Sequence, residues 1–298
     1  MGMQVVIGGA SGFLGTALTA HLRAGGHQVT RLVRSGDPAD DSSIWDPSTG
    51  RIDQIVIDRA DAVVNLSGSS ISKWPRTRRR AREIVSSRTT TTGTLAKAVA
   101  ASPTPPAMIS ASGMSYYGTD RGDEILTESS SSGEGFLPDV VRLWEAAASP
   151  AVDAGARVCF VRTSLVLDGD DGILGLMVPV WKLGGGARLG NGQQYMSFIS
   201  LHDWVRGVQK LIESPELSGP FNFAAPTPVR NAEFTDALGT AVHRPTFLAA
   251  PAFALKLALG GISDDLLGSL RIAPLALTDA GFTFSEPNIE SALEAALR

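Results

Sequence analysis

One glycine-rich turn constrains the fold of this chain more than any other feature. Residues 8–15 read GGASGFLG, which places Gly9, Gly12 and Gly15 at three-residue intervals. The turn follows an apolar, β-branched run and opens a helical pattern, the setting in which such spacing predicts a dinucleotide-binding unit. Gly9 permits the tight turn, Gly12 lets the backbone approach a diphosphate, and Gly15 lets the helix pack on the strand. The alternative is a glycine-rich turn that binds nothing.

Apolar runs and helical stretches alternate along the first 165 residues. Strands are predicted over 4–7, 28–33, 61–66, 107–110 and 157–162, and helices over 12–24, 76–101 and 137–153. Strands apolar on both faces are typical of a parallel sheet covered by helices. After residue 165, Gly- and Pro-bearing segments alternate with shorter predicted helices over 202–213, 231–238, 252–259 and 288–297.

These patterns predict an α/β fold, with a Rossmann-type doubly wound parallel sheet and a smaller loop-rich lobe. The sheet is expected within residues 1–165, completed by returning elements at about 195–224, and the lobe within 166–298.

Composition excludes several classes of protein. The 26 Lys and Arg against 30 Asp and Glu give a formal net charge of −4, which argues against partners such as nucleic acid or an anionic membrane. A single cysteine excludes an intrachain disulfide and a cysteine-based zinc site, and no metal is expected. The opening MGMQVVIGGASG lacks the cationic segment of a targeting signal, so we expect a cytoplasmic protein.

The end of the second predicted strand indicates which dinucleotide is bound. NAD-binding proteins usually carry Asp or Glu about 20 residues beyond the glycines, where it accepts from the ribose hydroxyls. This strand reads QVTRLVR, and no carboxylate follows until Asp37. Arg34, and with it Arg31, would meet a 2′-phosphate through a charge-assisted hydrogen bond of roughly 1.5–3 kcal/mol. NADP(H) is therefore expected over NAD(H), and the alternative for Arg34 is an exposed arginine without a ligand.

Several segments resemble a known family. The phosphate turn, VVNLSG at 63–68 and SASGMSYYG at 110–118 are similar to the extended and atypical short-chain dehydrogenase/reductases. FLPDVVRLWE at 136–145, GGGARLGNGQQYMSFIS at 184–200 and the C-terminal tail resemble, more narrowly, the branch of NAD(P)-dependent epimerase family proteins. Members of this branch are also labelled SulA-like or nucleoside-diphosphate-sugar epimerases. The resemblance covers almost the whole chain and implies a Rossmann core, a substrate lobe and a small C-terminal domain at about 245–298.

The resemblance implies a cofactor site at the carboxyl ends of the strands, where open α/β sheets bind ligands. Residues 65–68 would lie beside the adenine side of the cofactor, and Ser110 and Ser112 near the nicotinamide. Arg162 would point into the same crevice from the end of VCFVR, with a salt-bridged edge residue as its alternative. The expected cofactor-binding residues are Gly9, Ser11, Gly12, Phe13, Leu14, Gly15, Arg34, Asn65, Leu66, Ser67, Gly68, Ser110 and Arg162.

The catalytic pair of the superfamily is missing from the chain. Related enzymes use Tyr-x-x-x-Lys with a serine: the tyrosine transfers the alcohol proton and the lysine lowers its pKa. The tyrosines here are at 116, 117 and 195, and the residues four positions later are Asp120, Arg121 and Ile199. If Glu145 matches the glutamate that often follows the lysine by four, Leu137 and Val141 occupy the Tyr and Lys positions.

Two residues remain as expected catalytic groups. Ser112 would polarise a substrate carbonyl, and Tyr117 would act as a replacement acid, with Arg121 as a partial mimic of the missing cation. Aromatic packing is the alternative for Tyr117.

The segment 184–200 and the residues after it are expected to contact substrate. Arg188 and Gln193 suit a polar or phosphorylated ligand. Relatives commonly carry Trp-Ile-His-x-Asp-Asp next, whereas this chain reads FISLHD at 198–203, so that Ser200 replaces the histidine and His202 the first acid. His202 is expected to contact substrate, and a solvated residue beside a helix cap is its alternative.

Two functions are compatible with the sequence. The first is an NADP(H)-binding epimerase or reductase that acts on a nucleotide sugar or small carbonyl compound. The second is a catalytically degenerate NADP(H) sensor, as the cell-division label of some relatives suggests. Extended relatives often form a homodimer through two long helices, and the corresponding helices here, predicted over 76–101 and 137–153, either do the same or face solvent in a monomer. The run 73–88 holds seven Lys and Arg residues and either steers an anionic ligand or forms a solvated helix face.

Overall fold

A computed structural model describes residues 2–36, 41–71, 77–259, 264 and 267–298. The strands are β1 (Gln4–Gly8), β2 (Gln28–Val33), β3 (Ser42–Ile44), β4 (Ala62–Asn65), β5 (Ala107–Gly113), β6 (Ile125–Leu126), β7 (Val158–Thr163), β8 (Leu165–Leu167), β9 (Ala187–Leu189), β10 (Tyr195–Met196), β11 (Phe198–Ser200), β12 (Gly219–Phe223), β13 (Val229–Arg230), β14 (Leu248–Ala250) and β15 (Arg271–Ile272).

The helices alternate with these strands in the first half of the chain. They are α1 (Phe13–Ala24), α2 (Gln54–Asp58), α3 (Arg78–Ala101), α4 (Phe136–Ala146), α5 (Ser149–Asp153), α6 (Gly172–Lys182), α7 (Leu201–Glu213), α8 (Asn231–Ala241), α9 (Ala252–Leu259), α10 (Leu275–Asp279) and α11 (Ile289–Ala296). A short 3₁₀ turn covers Met114–Tyr117. No helix in the described ranges is at once long enough and apolar enough to cross a membrane.

A seven-stranded sheet has the order β12-β7-β5-β4-β1-β2-β3. The neighbouring strands from β3 through β2, β1 and β4 to β5 are parallel. After β1 the chain first continues outward on one side through β2 and β3, and then crosses to β4 on the other side. The carboxyl ends of β1 and β4 therefore form the topological switch point at which such sheets bind ligands. The predicted Rossmann-type α/β class is confirmed.

The chain divides into two compact units that interleave along the sequence. Unit 1 comprises Met1–Gly113, Asp139–Val161 and Val205–Pro220, and unit 2 comprises Met114–Pro138, Arg162–Trp204 and Phe221–Arg298. The core of unit 1 includes Val6, Val63 and Leu95, and that of unit 2 includes Phe198, Phe234 and Leu293. The boundary expected at residue 165, between the Rossmann core and the substrate lobe, stays a prediction.

The buried face of α3 is the stripe that positions the site described below. Ile84, Arg88, Thr92, Leu95 and Val99 are buried at intervals of three or four residues, the spacing of one helix face. Thr77 caps the helix by accepting from the amide of Arg80 at 3.2 Å. The helix was predicted from residue 76, which lies outside the described residues, as does the start of the basic run 73–88.

Two elements of the structure differ from the prediction. The helix expected over 137–153 is two helices, because Pro150 lies in the first turn of α5, where its lack of an N–H costs no hydrogen bond. Helix α6 was not predicted, and it forms although it contains Gly172, Gly175 and Pro179. Burial of Leu174, Val178 and Trp181 offsets the low helix propensity of the two glycines and the proline.

Candidate functional site

At two positions of the turn after β1, the backbone leaves room for glycine alone. Gly9 has φ of +82°, and a Cβ placed on it would lie 2.7 Å from the carbonyl carbon of Leu66. A Cβ on Gly15 would lie 2.2 Å from the carbonyl oxygen of Gly9. The glycine spacing therefore brings α1 against the turn and the turn against the segment after β4.

The start of α1 is open to an anion. Gly12 is the N-cap residue, it offers no side-chain cap, and the first turn holds no acidic residue. Within the described residues, the amides of Phe13, Leu14 and Gly15 donate to no backbone or side-chain group. A Cβ on Gly12 would meet only the carbonyl oxygen of Gly9, at 3.5 Å, so space remains above it. Free amides and the helix dipole at such an end fit a diphosphate.

The segment after β4 is held in place by Asn65. Its side-chain amide donates to Oγ1 of Thr92 at 2.8 Å, and its carbonyl oxygen accepts from the amide of Ser67 at 3.1 Å. Trp144 donates to the same threonine oxygen at 3.0 Å. Because Asn65 is fully buried and its amide group is bonded on both sides, it orients Leu66 and Ser67 beside Gly9 from within the protein.

Arg31, within β2, and Arg34, just after its end, have different surroundings. Arg31 donates to both carboxylate oxygens of Asp41, at 2.8 and 3.2 Å, and Arg23 donates to the same group. Hydrogen bonds from Arg31 and Arg23 hold the pKa of Asp41 at about 2. Arg34 is exposed at the end of β2 and has no ion pair among the described residues. The charge available for a 2′-phosphate at this edge is therefore that of Arg34.

Ser112 and Glu145 form a hydrogen-bonded pair at the end of β5. The Ser112 hydroxyl donates to Oε1 of Glu145 at 2.6 Å. Ser110, two residues earlier on the strand, is fully buried, and its hydroxyl donates to the carbonyl oxygen of Ala111 at 3.3 Å. Leu137 and Val141, at the expected Tyr and Lys positions, are buried apolar side chains with 8% and 5% exposure.

Tyr117 is part of the core of unit 2. The ring is fully buried, its hydroxyl donates to Oδ1 of Asn222 at 2.6 Å, and it accepts from Arg162 at 3.1 Å. Arg162 is buried as well and stacks on the ring of Tyr116, 3.4 Å from its centroid. Burial raises the pKa of Tyr117 even though Arg162 opposes the shift. These contacts give both residues a structural role in unit 2, and their expected catalytic and cofactor roles stay predictions.

The residues expected to contact substrate are distributed over unit 2. Gln193 lines a groove of about 880 Å³, together with Asn191, Arg230 and other polar residues. Arg188 is exposed on β9 and lies against Gly192, outside the lining of that groove. His202 is exposed at the start of α7, with Nδ1 3.3 Å from both carboxylate oxygens of Glu286. Their contact with substrate stays a prediction.

From the sequence, Glu145 had no functional role and Arg88 was only one charge of a basic run. Glu145 served only as an alignment marker, although its carboxylate accepts the hydrogen bond from Ser112. Arg88 was placed in a basic run that either steers anions or is solvated, yet it is buried, with 9% exposure. The signal that could have found Arg88 is its position on the apolar stripe of α3, at four-residue spacing from Ile84 and Thr92.

Comparison with known proteins gives consistent matches along the chain. Residues 5–136 match the model of the NAD dependent epimerase/dehydratase family, and residues 250–296 match a domain of unknown function. Epimerase family protein Mb2239 of Mycobacterium bovis is 44% identical over 290 residues, which are 97% of this chain and 96% of that protein.

Two solved structures are similar at the level of the whole chain. The crystal structure of human epimerase family protein SDR39U1 with NADPH has a TM-score of 0.90 and 32% identity, and the match covers 99% of this chain and 100% of that one. The nucleoside-diphosphate sugar epimerase from Corynebacterium glutamicum has a TM-score of 0.83 and 38% identity, and the match covers 100% of this chain and 58% of that one.

Proposed function

The chain belongs to the epimerase family of NAD-dependent epimerases and dehydratases, and on that premise we propose that it binds NADP(H) and acts as an epimerase or reductase. Its substrate would be a nucleotide sugar or a small carbonyl compound. The observation that carries the proposal is the uncapped start of α1, whose free amides follow a turn that has glycine at positions 8, 9 and 12. The NADPH in the crystal structure of the human relative supports the choice of cofactor.

The residues of unit 1 fit this cofactor. The amides of Phe13, Leu14 and Gly15 would hold the diphosphate, and Arg34 would hold the 2′-phosphate that distinguishes NADP(H) from NAD(H). When bound, NADP(H) supplies or accepts the hydride of the reaction. Asn65 keeps Leu66 and Ser67 in place beside the turn, so the site does not have to rearrange around its ligand.

Ser112 and Glu145 are proposed to handle the proton of the reaction. Reduction of a carbonyl to an alcohol requires one proton at the carbonyl oxygen, and oxidation releases it there. Glu145 in its acid form would donate to Oγ of Ser112, and the serine hydroxyl would then donate to the carbonyl oxygen. In the reverse direction the carboxylate, which accepts a hydrogen bond from Ser112 in the structure, would accept the Ser112 proton, and Oγ would accept the proton of the alcohol. The pair would thus replace the missing Tyr-x-x-x-Lys.

Turnover of the intact chain tests the proposal. The protein would be mixed with NADPH and a panel of nucleotide sugars and small aldehydes and ketones, with absorbance followed at about 340 nm in single-turnover mode. Epimerisation begins with oxidation of the sugar by NADP+ and leaves no net absorbance change, so each nucleotide sugar would also be incubated with the protein and NADP+, and formation of its epimer would be measured. Consumption of NADPH, or conversion of one sugar into its epimer, is the expected result. NADPH binding without either would contradict the enzymatic part of the proposal.

The second candidate function is an NADP(H) sensor that acts through protein contacts. The observation that favours it is the burial of apolar Leu137 and Val141 where a catalytic tyrosine and lysine are expected. A sensor would hold NADPH tightly, release it slowly and show no turnover with any substrate on the panel. The cytoplasmic location, the small-molecule partner and the homodimer expected from the sequence are retained as proposals, and sedimentation at several protein concentrations tests the homodimer.

A further inference from the structure

A cluster of positive charge lies where the chain leaves β4. It consists of Gly68, Ser69, Arg80, Ser87 and Arg88, all within unit 1, and we call it the two-arginine cluster. Arg88 donates from Nη1 to the carbonyl oxygens of Ser69 at 3.0 Å and Ile84 at 3.1 Å. Arg80 donates from Nη2 to the next carbonyl oxygen along the segment, that of Ser70. Two guanidinium groups from α3 therefore converge on one short segment.

Arg88 is a buried cation that no carboxylate neutralises among the described residues. Only 9% of it is exposed, and its guanidinium carbon lies 4.9 Å from the centroid of the Trp144 ring. Burial, and then the nearby charge of Arg80, lowers the pKa of Arg88 to about 10, so it is still charged at neutral pH. Nε and Nη2 donate to no group in the part of the chain that the structure describes. Such a group is costly to bury unless an anion pairs with it.

Arg80 contributes a further N–H group that has no hydrogen-bond acceptor among the described residues. Its Nη1 is 2.7 Å from Oε1 of Glu83, which balances one of the two positive charges. Its Nε is buried and, within the described residues, has no hydrogen-bond partner. The cluster is therefore left with one net positive charge and with unused N–H donors on both arginines.

The other members of the cluster are small and hydroxylated. The Ser87 hydroxyl lies 3.2 Å from that of Ser69 and accepts from the Ser69 amide at 3.1 Å. Gly68 is exposed, and a Cβ on it would come within 3.5 Å of the Arg88 side chain. Guanidinium groups with hydroxyl donors suit a phosphate better than a carboxylate, since a phosphate offers more acceptor oxygens.

We propose that Arg80, Arg88 and Ser69 form a second phosphate-binding site, separate from the start of α1. The segment that carries Ser69 begins at Leu66 and Ser67, which pack on Gly8 and Gly9 of the phosphate turn. A phosphate of the dinucleotide and a phosphate of the substrate could therefore each reach it, and they share the same chemistry. The inference rests on the proposed function only for the assignment of the phosphate to one of these two sources.

Titration of the NADPH-saturated protein with inorganic pyrophosphate distinguishes the two sources. Arg88→Met removes the charge together with the guanidinium contact to Trp144, and keeps an unbranched apolar side chain at this buried position. The matched control is Arg82→Met, which removes a charge from an exposed position of the same helix. If the site takes a substrate phosphate, the saturated parent binds pyrophosphate, Arg88→Met weakens that binding by about tenfold or more, and NADPH affinity is unchanged.

If the site takes a cofactor phosphate, the saturated parent does not bind pyrophosphate, and Arg88→Met instead weakens NADPH binding by a similar factor. If Arg88→Met weakens the binding of NADH as well as NADPH, the site takes the diphosphate. If it weakens the binding of NADPH alone, the site takes the 2′-phosphate. In both cases Arg82→Met behaves as the parent. The proposal is overturned if Arg88→Met matches the parent in both titrations, or if Arg82→Met loses as much.

Two further measurements cover the remaining cases. If Arg88→Met does not fold, Arg80→Gln replaces it, with a loss of at least about threefold expected and unchanged binding contradicting the site. If the parent does not bind NADPH at all, the proposed function fails, and pyrophosphate titration of the free protein still tests the cluster. The Trp144 indole NMR signal, assigned with Trp144→Phe, should then shift on addition of pyrophosphate in the parent and stay fixed in Arg88→Met.

Discussion

The hydroxyl of Ser112 donates a 2.6 Å hydrogen bond to Oε1 of Glu145. The two residues are 33 positions apart, and they meet because the end of β5 packs beside α4 within unit 1. A short bond between a hydroxyl and a carboxylate can carry a proton in either direction. This hydrogen bond is the basis for proposing the pair as the proton-transfer group of a chain without Tyr-x-x-x-Lys.

Loss of either partner should lower turnover without weakening NADPH binding. Ser112→Ala removes the hydroxyl next to the reacting oxygen, and Glu145→Gln removes the group that exchanges its proton. Each is expected to lower the single-turnover rate by roughly a hundredfold or more. Ser149→Ala, on the exposed first turn of α5, is the control. Equal rates for parent and both variants would remove the pair from the mechanism.

Arg34 and Arg31 should differ in their effect on cofactor choice. Arg34→Gln removes a charge that has no ion pair among the described residues, and it should weaken NADPH binding by about tenfold to a hundredfold and leave NADH unchanged. Arg31→Gln should have little effect, because Asp41 already engages that guanidinium. Calorimetric titration with both dinucleotides measures this. Stronger NADH than NADPH binding by the parent would refute the assignment.

Tyr117→Phe should lower stability and leave NADPH affinity unchanged. The variant leaves Oδ1 of Asn222 without its donor and Arg162 without one acceptor, inside a buried cluster. The expected loss in the free energy of unfolding is about 1–3 kcal/mol, measured by urea denaturation. A fall in the single-turnover rate at unchanged stability would instead support Tyr117 as the acid.

Cys159 should resist thiol reagents in the folded protein. It is buried in β7, and burial raises its pKa to about 11. At about pH 8 the reactive thiolate is therefore scarce, and the side chain is inaccessible. Since it is the single cysteine of the chain, labelling by a chromogenic disulfide reports on it alone. Slow labelling in the folded state and rapid labelling in denaturant are expected, and rapid labelling of the folded protein would contradict its burial.

The phosphate turn and the strands around it were predictable because their signals are local. Three glycines at fixed spacing and β-branched runs report on residues a few positions away. The strand predicted over 28–33 is β2 with the same bounds, and the helix predicted over 252–259 is α9. Strand β3 was not predicted, since a three-residue edge strand carries little periodicity, and β12 lies within the returning elements expected at about 195–224 without having been given bounds.

The contacts of the candidate site could not be predicted, since they join residues that are distant in sequence. Tyr117 and Asn222 are 105 positions apart, and nothing near either residue indicates the other. Arg88 was missed for a different reason. Its charge suggested a solvated face, whereas its position on the stripe with Ile84 and Thr92 buries it. Periodicity was the better guide at that residue, because the helix packs by its face and not by its composition.

Calorimetric titration of NADPH into the parent and Gly12→Ala tests the central claim, that the start of α1 binds the cofactor diphosphate. Alanine fits the backbone of Gly12, where φ is −81° and the nearest atom to a Cβ is 3.5 Å away, so the variant should fold normally. Its methyl group would occupy the approach to the amides. Saturable binding by the parent and a loss of about tenfold in the folded variant are predicted. A parent that does not bind NADPH, or a variant that binds it equally well, would contradict the claim.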